Sequence, residues 1–231
     1  MTGPDSTQGA RRYLKTREKP WAQALAKRAA GAGITPNAIS VLSIVFAVPG
    51  AVCLMTASEA CCKTAASLLW LGAATCIQLR LLCNLIDGMV AIEGGKKSPV
   101  GGLYNEVPDR IADPLLLMAA GYCSEWVVKL WGIPLGWVAA VLSVITAYIR
   151  VLGGTLTGDQ SFIGPMAKQH RMAVLTFACL GSIAEVWLRR DGRPAQEVMR
   201  AALIVIVIGC LITCWRRVAA IAKELRGKPQ S

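Results

Sequence analysis

Long uncharged stretches set the rhythm of this chain. No Asp, Glu, Lys or Arg occurs in residues 29–58, 64–79, 130–149 or 201–215. A helix needs about 20 mostly apolar residues to cross a bilayer, and the stretches are close to that length. The pattern predicts six spans, at 36–56, 64–93, 100–123, 130–152, 171–188 and 198–215. Ahead of the first lies RRYLKTREKPWAQALAKRAAGAG, which sets Leu14, Trp21, Leu25 and several alanines among Arg and Lys. This suits an amphipathic helix on the membrane surface, ended by Gly31 and Gly33. The following TPN reads as a helix start, with Thr35 as cap and Pro36 in the first turn. The expected fold is an all-α integral membrane protein, six transmembrane helices preceded by an interfacial helix. The expected parts are a basic segment with that surface helix (1–35), a transmembrane domain (36–222) and a basic tail (223–231).

Charge gives the spans a direction. The chain of 231 residues is 54% hydrophobic yet carries a net charge of +11. Much of the excess lies in Arg11, Arg12, Lys15, Arg17, Lys19, Lys27 and Arg28, and in Arg216, Arg217, Lys223, Arg226 and Lys228. Basic flanks mark the cytoplasmic side of a span and attract anionic headgroups. Six spans put both termini on that side, with the segments around Lys96–Lys97 and Lys168–Arg171. A multi-pass protein of the cell (inner) membrane with cytoplasmic termini is expected. The segment with Arg189, Arg190 and Arg193 runs against the rule. Nucleic acid is excluded as a partner, because the charge flanks apolar helices and forms no aromatic-interleaved patch. The nine cysteines form no CxxC pair, so they read as small buried hydrophobes and not as a zinc site. The polar start of the chain shows no signal-peptide pattern. The tryptophans fall near predicted span ends, as an aromatic belt requires, and His170 reads as a solvated interface residue.

Candidate chemistry lies between the second and third spans. Residues three or four apart share a helix face. Asn84, Asp87, Gly88 and Ala91 form such a face on the second span; Gly101, Asn105, Asp109 and Asp113 form one on the third. The second span, 30 residues at about 1.5 Å each, outruns the hydrocarbon core, so its charged end reaches the interface. The link GGKKSP is short, which makes the two helices antiparallel neighbours with facing polar surfaces. Ionisable groups within spans are costly and mark function. Oxygen ligands on facing helices suit a hard divalent cation, Mg²⁺ or Mn²⁺, which would neutralise a pyrophosphate. A remaining carboxylate would then take a proton from an attacking hydroxyl. A purely structural network with Arg80 and Arg110 is the other reading of the same residues.

The spacing resembles the signature of the CDP-alcohol phosphotransferase family, D-x2-D-G-x2-A-R-x8-G-x3-D-x3-D. This chain reads Asn84-x2-Asp87-Gly88-x2-Ala91-Ile92-x8-Gly101-x3-Asn105-x3-Asp109, with every spacing kept. TPNAIS, with Asn37, resembles the family's lead into its first span, and six spans is the family's usual count. The resemblance implies metal ligands at Asn84, Asp87, Asn105 and Asp109, with Asp109 also the general base. It implies substrate contacts at Asn37, Gly88, Ala91, Lys96 and Gly101, and basic acceptor-side contacts at Arg150, Lys168 and Arg171. Three positions depart: Asn84 and Asn105 replace acids, and Ile92 replaces the arginine. Asn offers a carbonyl oxygen but no charge, which weakens a two-metal site. Asp113, a second candidate base, and Glu106 lie within about 40° and 60° of Asp109 around the helix, placed to supply charge. A divergent bacterial branch of the family resembles this pattern, with N-x2-D-G and N-E-x2-D-x3-D. Lys96, Lys97 or Arg80 would answer for the missing arginine at a phosphate.

The implied activity is transfer of a phosphatidyl group from CDP-diacylglycerol to a small alcohol, with release of CMP, in phospholipid synthesis. The reverse use, a soluble CDP-alcohol with a lipid acceptor, fits the same signature. The implied partners are that nucleotide-lipid or a related CDP-alcohol, the alcohol acceptor, membrane lipids and a second copy of the chain as a homodimer. Two other readings stand beside this one. The first is a non-catalytic relative that binds nucleotide-lipid. The second is an ion or solute transporter using the intramembrane acids, although no internal repeat supports it.

Overall fold

The computed structural model describes residues 19–93, 100–124, 127–128, 133–158, 160–189 and 197–227. Among them are seven helices: α1 (Pro20–Gly31), α2 (Pro36–Ala57), α3 (Lys63–Glu93), α4 (Gly101–Ser124), α5 (Leu135–Thr157), α6 (Lys168–Leu188) and α7 (Glu197–Gly227). A two-residue antiparallel ribbon, β1 (Val127–Val128) with β2 (Ile133–Pro134), lies between α4 and α5. The protein is an all-α membrane protein. Five helices, α2, α3, α5, α6 and α7, are long and apolar enough to cross a bilayer by length and composition. The sequence pattern expects a sixth span where α4 runs. At 24 residues α4 has the length, but Glu106, Asp109, Arg110 and Asp113 crowd its first half. Its place comes from packing against α2 and α5.

Local chemistry accounts for the helix ends. Thr35 Oγ1 accepts the Ala38 N–H at 3.2 Å, and Pro36 occupies the first turn of α2, where its missing N–H costs nothing. Gly33, at φ 76°, turns the chain out of α1, and the Gly33 N–H bonds back to Ala30 O. Gly158, at φ 94°, ends α5 five residues beyond the predicted stop. α7 runs twelve residues past the predicted end of its span. No helix breaker intervenes before Gly227, so Arg216, Arg217, Lys223 and Arg226 lie on a helix.

Six helices close a ring in the order α2, α3, α6, α7, α5, α4 and back to α2, each packed on its two neighbours. The consequence for α3 and α4 differs from the sequence expectation of direct neighbours. Their backbones hardly touch, because α2 packs on both, and only long side chains bridge them. Alternating helix directions divide the ring into two halves. The dry half packs Ala47, Leu54, Trp70, Ile77, Leu116, Leu203 and Ile206. The other half collects polar groups from the start of α2, α4 and α6 and the end of α3, α5 and α7. Outward faces are apolar, among them Val45, Val52, Val141, Val205 and Leu211, as lipid contact requires.

At the dry end α4 and α5 come together through Gly121 and Gly136. A Cβ on Gly121 would lie 2.5 Å from Gly136 Cα. The α6–α7 junction is tied by Glu185, which accepts the N–H groups of Glu197 and Val198 at 3.1 Å each and pairs with Arg189 at 3.2 Å. One of the arginines that offended the charge rule is thus neutralised locally. The amphipathic stripe of α1 divides between two surfaces. Ala22 and Ala26 are buried against Cys83, Ile86, Met89 and Val90 of α3, while Trp21 and Leu25 face outward.

Candidate active site

Arg80, Asn84 and Asp87 repeat every three to four residues along one stripe of α3, and Asp109 and Asp113 do so on α4. Arg80 is fully buried, and its Nη2 reaches both acids, at 3.1 Å from Asp109 Oδ1 and in contact with Asp113 Oδ1. α6 completes the cluster: Lys168 Nζ pairs with Asp109 Oδ2, and Arg171 Nη2 pairs with Asp113 Oδ2 at 2.9 Å. Five charges therefore alternate in a chain, Lys168–Asp109–Arg80–Asp113–Arg171. Asp87, also buried, accepts a 2.6 Å hydrogen bond from the Ser40 hydroxyl of α2 at Oδ2. With Asp87 counted, three carboxylates meet three cations; the buried Arg217 of α7 adds one further cation at the edge of the group. Burial at this depth is sustainable only with such pairing.

The remaining helices fix the cations. Arg171 Nη1 donates to Thr146 Oγ1 of α5 at 3.2 Å and to Met166 O at 3.1 Å. Arg217 of α7 donates from Nε to Ile163 O at 3.0 Å and from Nη1 to Thr146 O. Thr213 Oγ1 accepts the Met166 N–H at 3.0 Å. These bonds hold the segment ahead of α6, so Lys168 and Arg171 emerge at a defined place. Every helix of the ring contributes at least one polar group.

Several buried polar atoms of the centre have no hydrogen-bond partner: Asn84 Oδ1 and Nδ2, Asp87 Oδ1, Arg80 Nε and Nη1, Asp113 Oδ1, which meets Arg80 as an ion pair, and Arg171 Nε. Buried polar groups are normally paired, and those of Arg80, Asn84 and Asp87 lie on one stripe of α3. Among the described residues no three His, Cys, Asp or Glu side chains gather closely enough to hold a metal by themselves. The two free oxygens, Asp87 Oδ1 and Asn84 Oδ1, are hard donors one turn apart. They fit Mg²⁺ or Mn²⁺, which take one or two carboxylates and complete their shell with water and substrate phosphate.

The structure brings together Asp87, Asp109, Asp113, Lys168 and Arg171, with Asn84 beside them. Gly88 and Ala91 continue the α3 stripe toward its end, partly exposed. A Cβ on Gly101 would meet nothing within 4 Å, so this start of α4 is open. Asn37 is half-buried in the first turn of α2, and Asn105 is exposed. Lys96 and Lys97 lie outside the described residues. Glu106 and Asp113, expected to supply extra charge to a metal, are engaged elsewhere. Glu106 pairs with Arg110 and Arg150, and Asp113 is held by two buried guanidiniums. Arg150 accordingly belongs to the Glu106 cluster, stacked 5.7 Å over Phe162. His170 is exposed, with Nδ1 2.6 Å from Pro165 O. Ser40, Thr146 and Arg217 were missed. A hydroxyl at the fifth residue of an apolar span, or an arginine two residues past one, carries little signal alone.

Fold and site together define a multi-pass helical membrane protein with a charge-compensated polar centre at one end of a ring of six helices. The profile of the CDP-alcohol phosphatidyltransferases matches residues 33–215, and the chain belongs to the CDP-alcohol phosphatidyltransferase family. Among curated proteins it is similar to the inner membrane protein YnbA of Escherichia coli K12, 23% identical over 146 residues. That match covers 61% of this chain and 64% of the relative. The fold is similar to that of phosphatidylinositol phosphate synthase PgsA1 of Mycobacterium tuberculosis. Its structure with manganese and citrate superposes with a TM-score of 0.68 at 17% identity, over 87% of this chain and 88% of that one. Its structure with CDP-DAG bound gives 0.67 at 17% identity, over 87% and 92%.

Proposed function

We propose that the protein transfers a phosphatidyl group from CDP-diacylglycerol to the hydroxyl of a small alcohol, releasing CMP, with its polar end and both termini at the cytoplasmic face. The observation that carries the reading is the stripe of unpartnered Asn84 and Asp87 oxygens beside the Lys168–Asp109–Arg80 chain, at the family's motif spacing. The alcohol gives its proton to Asp109, its oxygen bonds to the lipid-linked phosphorus, and the bond to CMP breaks. Asp109 suits the part better than Asp113. Both Asp113 oxygens are held by buried guanidiniums, whereas Asp109 Oδ2 is covered only by the partly exposed ammonium of Lys168. Lys168 swings onto a phosphate oxygen and frees that atom, while Arg80 keeps the carboxylate in place. Gly88, Ala91 and Gly101 let the nucleotide approach closely, and Lys168 and Arg171 line the acceptor side. Asp87 and Asn84 would hold a divalent cation, Mg²⁺ or Mn²⁺, whose charge would neutralise the pyrophosphate.

The test is CMP release from CDP-diacylglycerol by the reconstituted protein, across a panel of polar alcohols. Asp109→Ala and Asp87→Ala are each expected to lower the rate by roughly a hundredfold or more. A chelator is expected to abolish turnover, and Mn²⁺ or Mg²⁺ to restore it. Retained nucleotide-lipid binding with no CMP from any alcohol would instead identify a non-catalytic relative.

A further inference from the structure

We infer that the centre takes a single divalent cation, at Asp87 and Asn84, and that the Lys168 ammonium, backed by Arg80, supplies the positive charge a second would bring. The inference rests on the reading that the site handles a pyrophosphate, and it concerns how that charge is met. The polar end holds four acids whose oxygens the structure accounts for. Asp113 gives one oxygen to Arg80 and one to Arg171. Glu106 gives one to Arg110 and one to Arg150. Asp109 gives one to Arg80 and one to Lys168. Of these four acids only Asp87 has no ion-pair partner; a neutral hydroxyl covers one oxygen and the other is free.

An independent observation points to the same place. The Asn84 amide, one turn before Asp87, has both polar atoms buried and unpartnered. One ion on Asp87 Oδ1 and Asn84 Oδ1 would satisfy both orphaned oxygens and leave Asn84 Nδ2 to donate to a ligand oxygen. Charge then limits the count. Asp87, Asp109 and Asp113 balance Arg80, Lys168 and Arg171, with the buried Arg217 beside them, and a divalent cation with a doubly charged pyrophosphate diester adds no net charge. A second divalent ion would leave two uncompensated positive charges in a low-dielectric site, beside Lys168 and Arg80. Asn105, exposed and neutral, adds nothing to hold it.

The experiment measures Mn²⁺ alone on the purified full chain in detergent, by equilibrium dialysis and X-band EPR. One Mn²⁺ per chain and a mononuclear spectrum are expected. Asp87→Asn is expected to weaken binding roughly tenfold or more. Lys168→Met, which removes a neighbouring positive charge, is expected to tighten it roughly threefold or more. Two ions per chain, a spin-coupled spectrum, no bound Mn²⁺, or unchanged affinity in either variant overturns the inference. Gel filtration checks the folding of both variants, and the wild-type stoichiometry decides alone if either misfolds. CMP release with two bound ions refutes the single-cation centre and leaves the proposed reaction standing. One bound ion without CMP release from any alcohol does the reverse.

Discussion

The acids of α4 have different energetic weights despite their proximity. Asp113 is 1% exposed and joins two buried guanidiniums, so Asp113→Asn strands buried positive charge. Removing one partner of such a pair costs about 3–5 kcal/mol, and a large drop in thermal midpoint is expected for the purified protein. The Glu106 side chain is 38% exposed and its partners are partly solvated. Glu106→Gln is expected to cost no more than about 1 kcal/mol, a small shift in the same melt. Equal losses would contradict this ranking. The stripes of Asp87, Asp109 and Asp113 are legible from helical period alone. Which acid faces which cation is not, because Arg80 lies 29 residues from Asp109 and Arg171 lies 58 from Asp113. Such pairings follow from ring order, which no local pattern encodes.

At the scale of elements, ends were easier to read than neighbours. Thr35, Pro36 and Gly33 act within a single turn of chain, and each does what its side chain or backbone freedom predicts. Thr35→Ala is expected to cost about 1 kcal/mol through loss of the α2 cap, measurable by thermal unfolding in detergent. That α3 and α4 avoid direct packing was not legible, because it depends on α2 occupying both their flanks. The Gly121–Gly136 contact was equally hidden, although small residues are the means by which membrane helices approach closely. Gly121→Ala drives a methyl group into the α5 backbone and is expected to destabilise by about 1–3 kcal/mol. An unchanged melting midpoint would show that α4 and α5 separate there without cost.

For the molecule as a whole, the proposed orientation places the start of α3 on the far side of the membrane from the polar centre. Cys61 and Cys62 are exposed there. The Ala65 N–H hydrogen bond, assisted by Cys61, holds the Cys62 thiol below the usual thiol range. A lowered value means more thiolate at neutral pH. Cys62 is expected to react with a membrane-impermeant maleimide added outside the cell, faster at pH 7 than an ordinary thiol. Cys62→Ser is expected to remove that fast phase. Labelling only after the membrane is opened would reverse the assigned orientation.

Ring order also has a consequence for biogenesis. α4 enters the membrane carrying Asp109 and Asp113 when only Arg80 has been made to meet them. Arg171 arrives two helices later. Arg217, which holds Thr146 and Ile163 through their carbonyls, lies two thirds of the way along α7. The polar centre therefore completes itself only once α7 has been made, and α4 must wait, poorly suited to lipid, for partners not yet translated. A nascent chain stopped before α7 would hold the acids of the site without the frame that makes them a site.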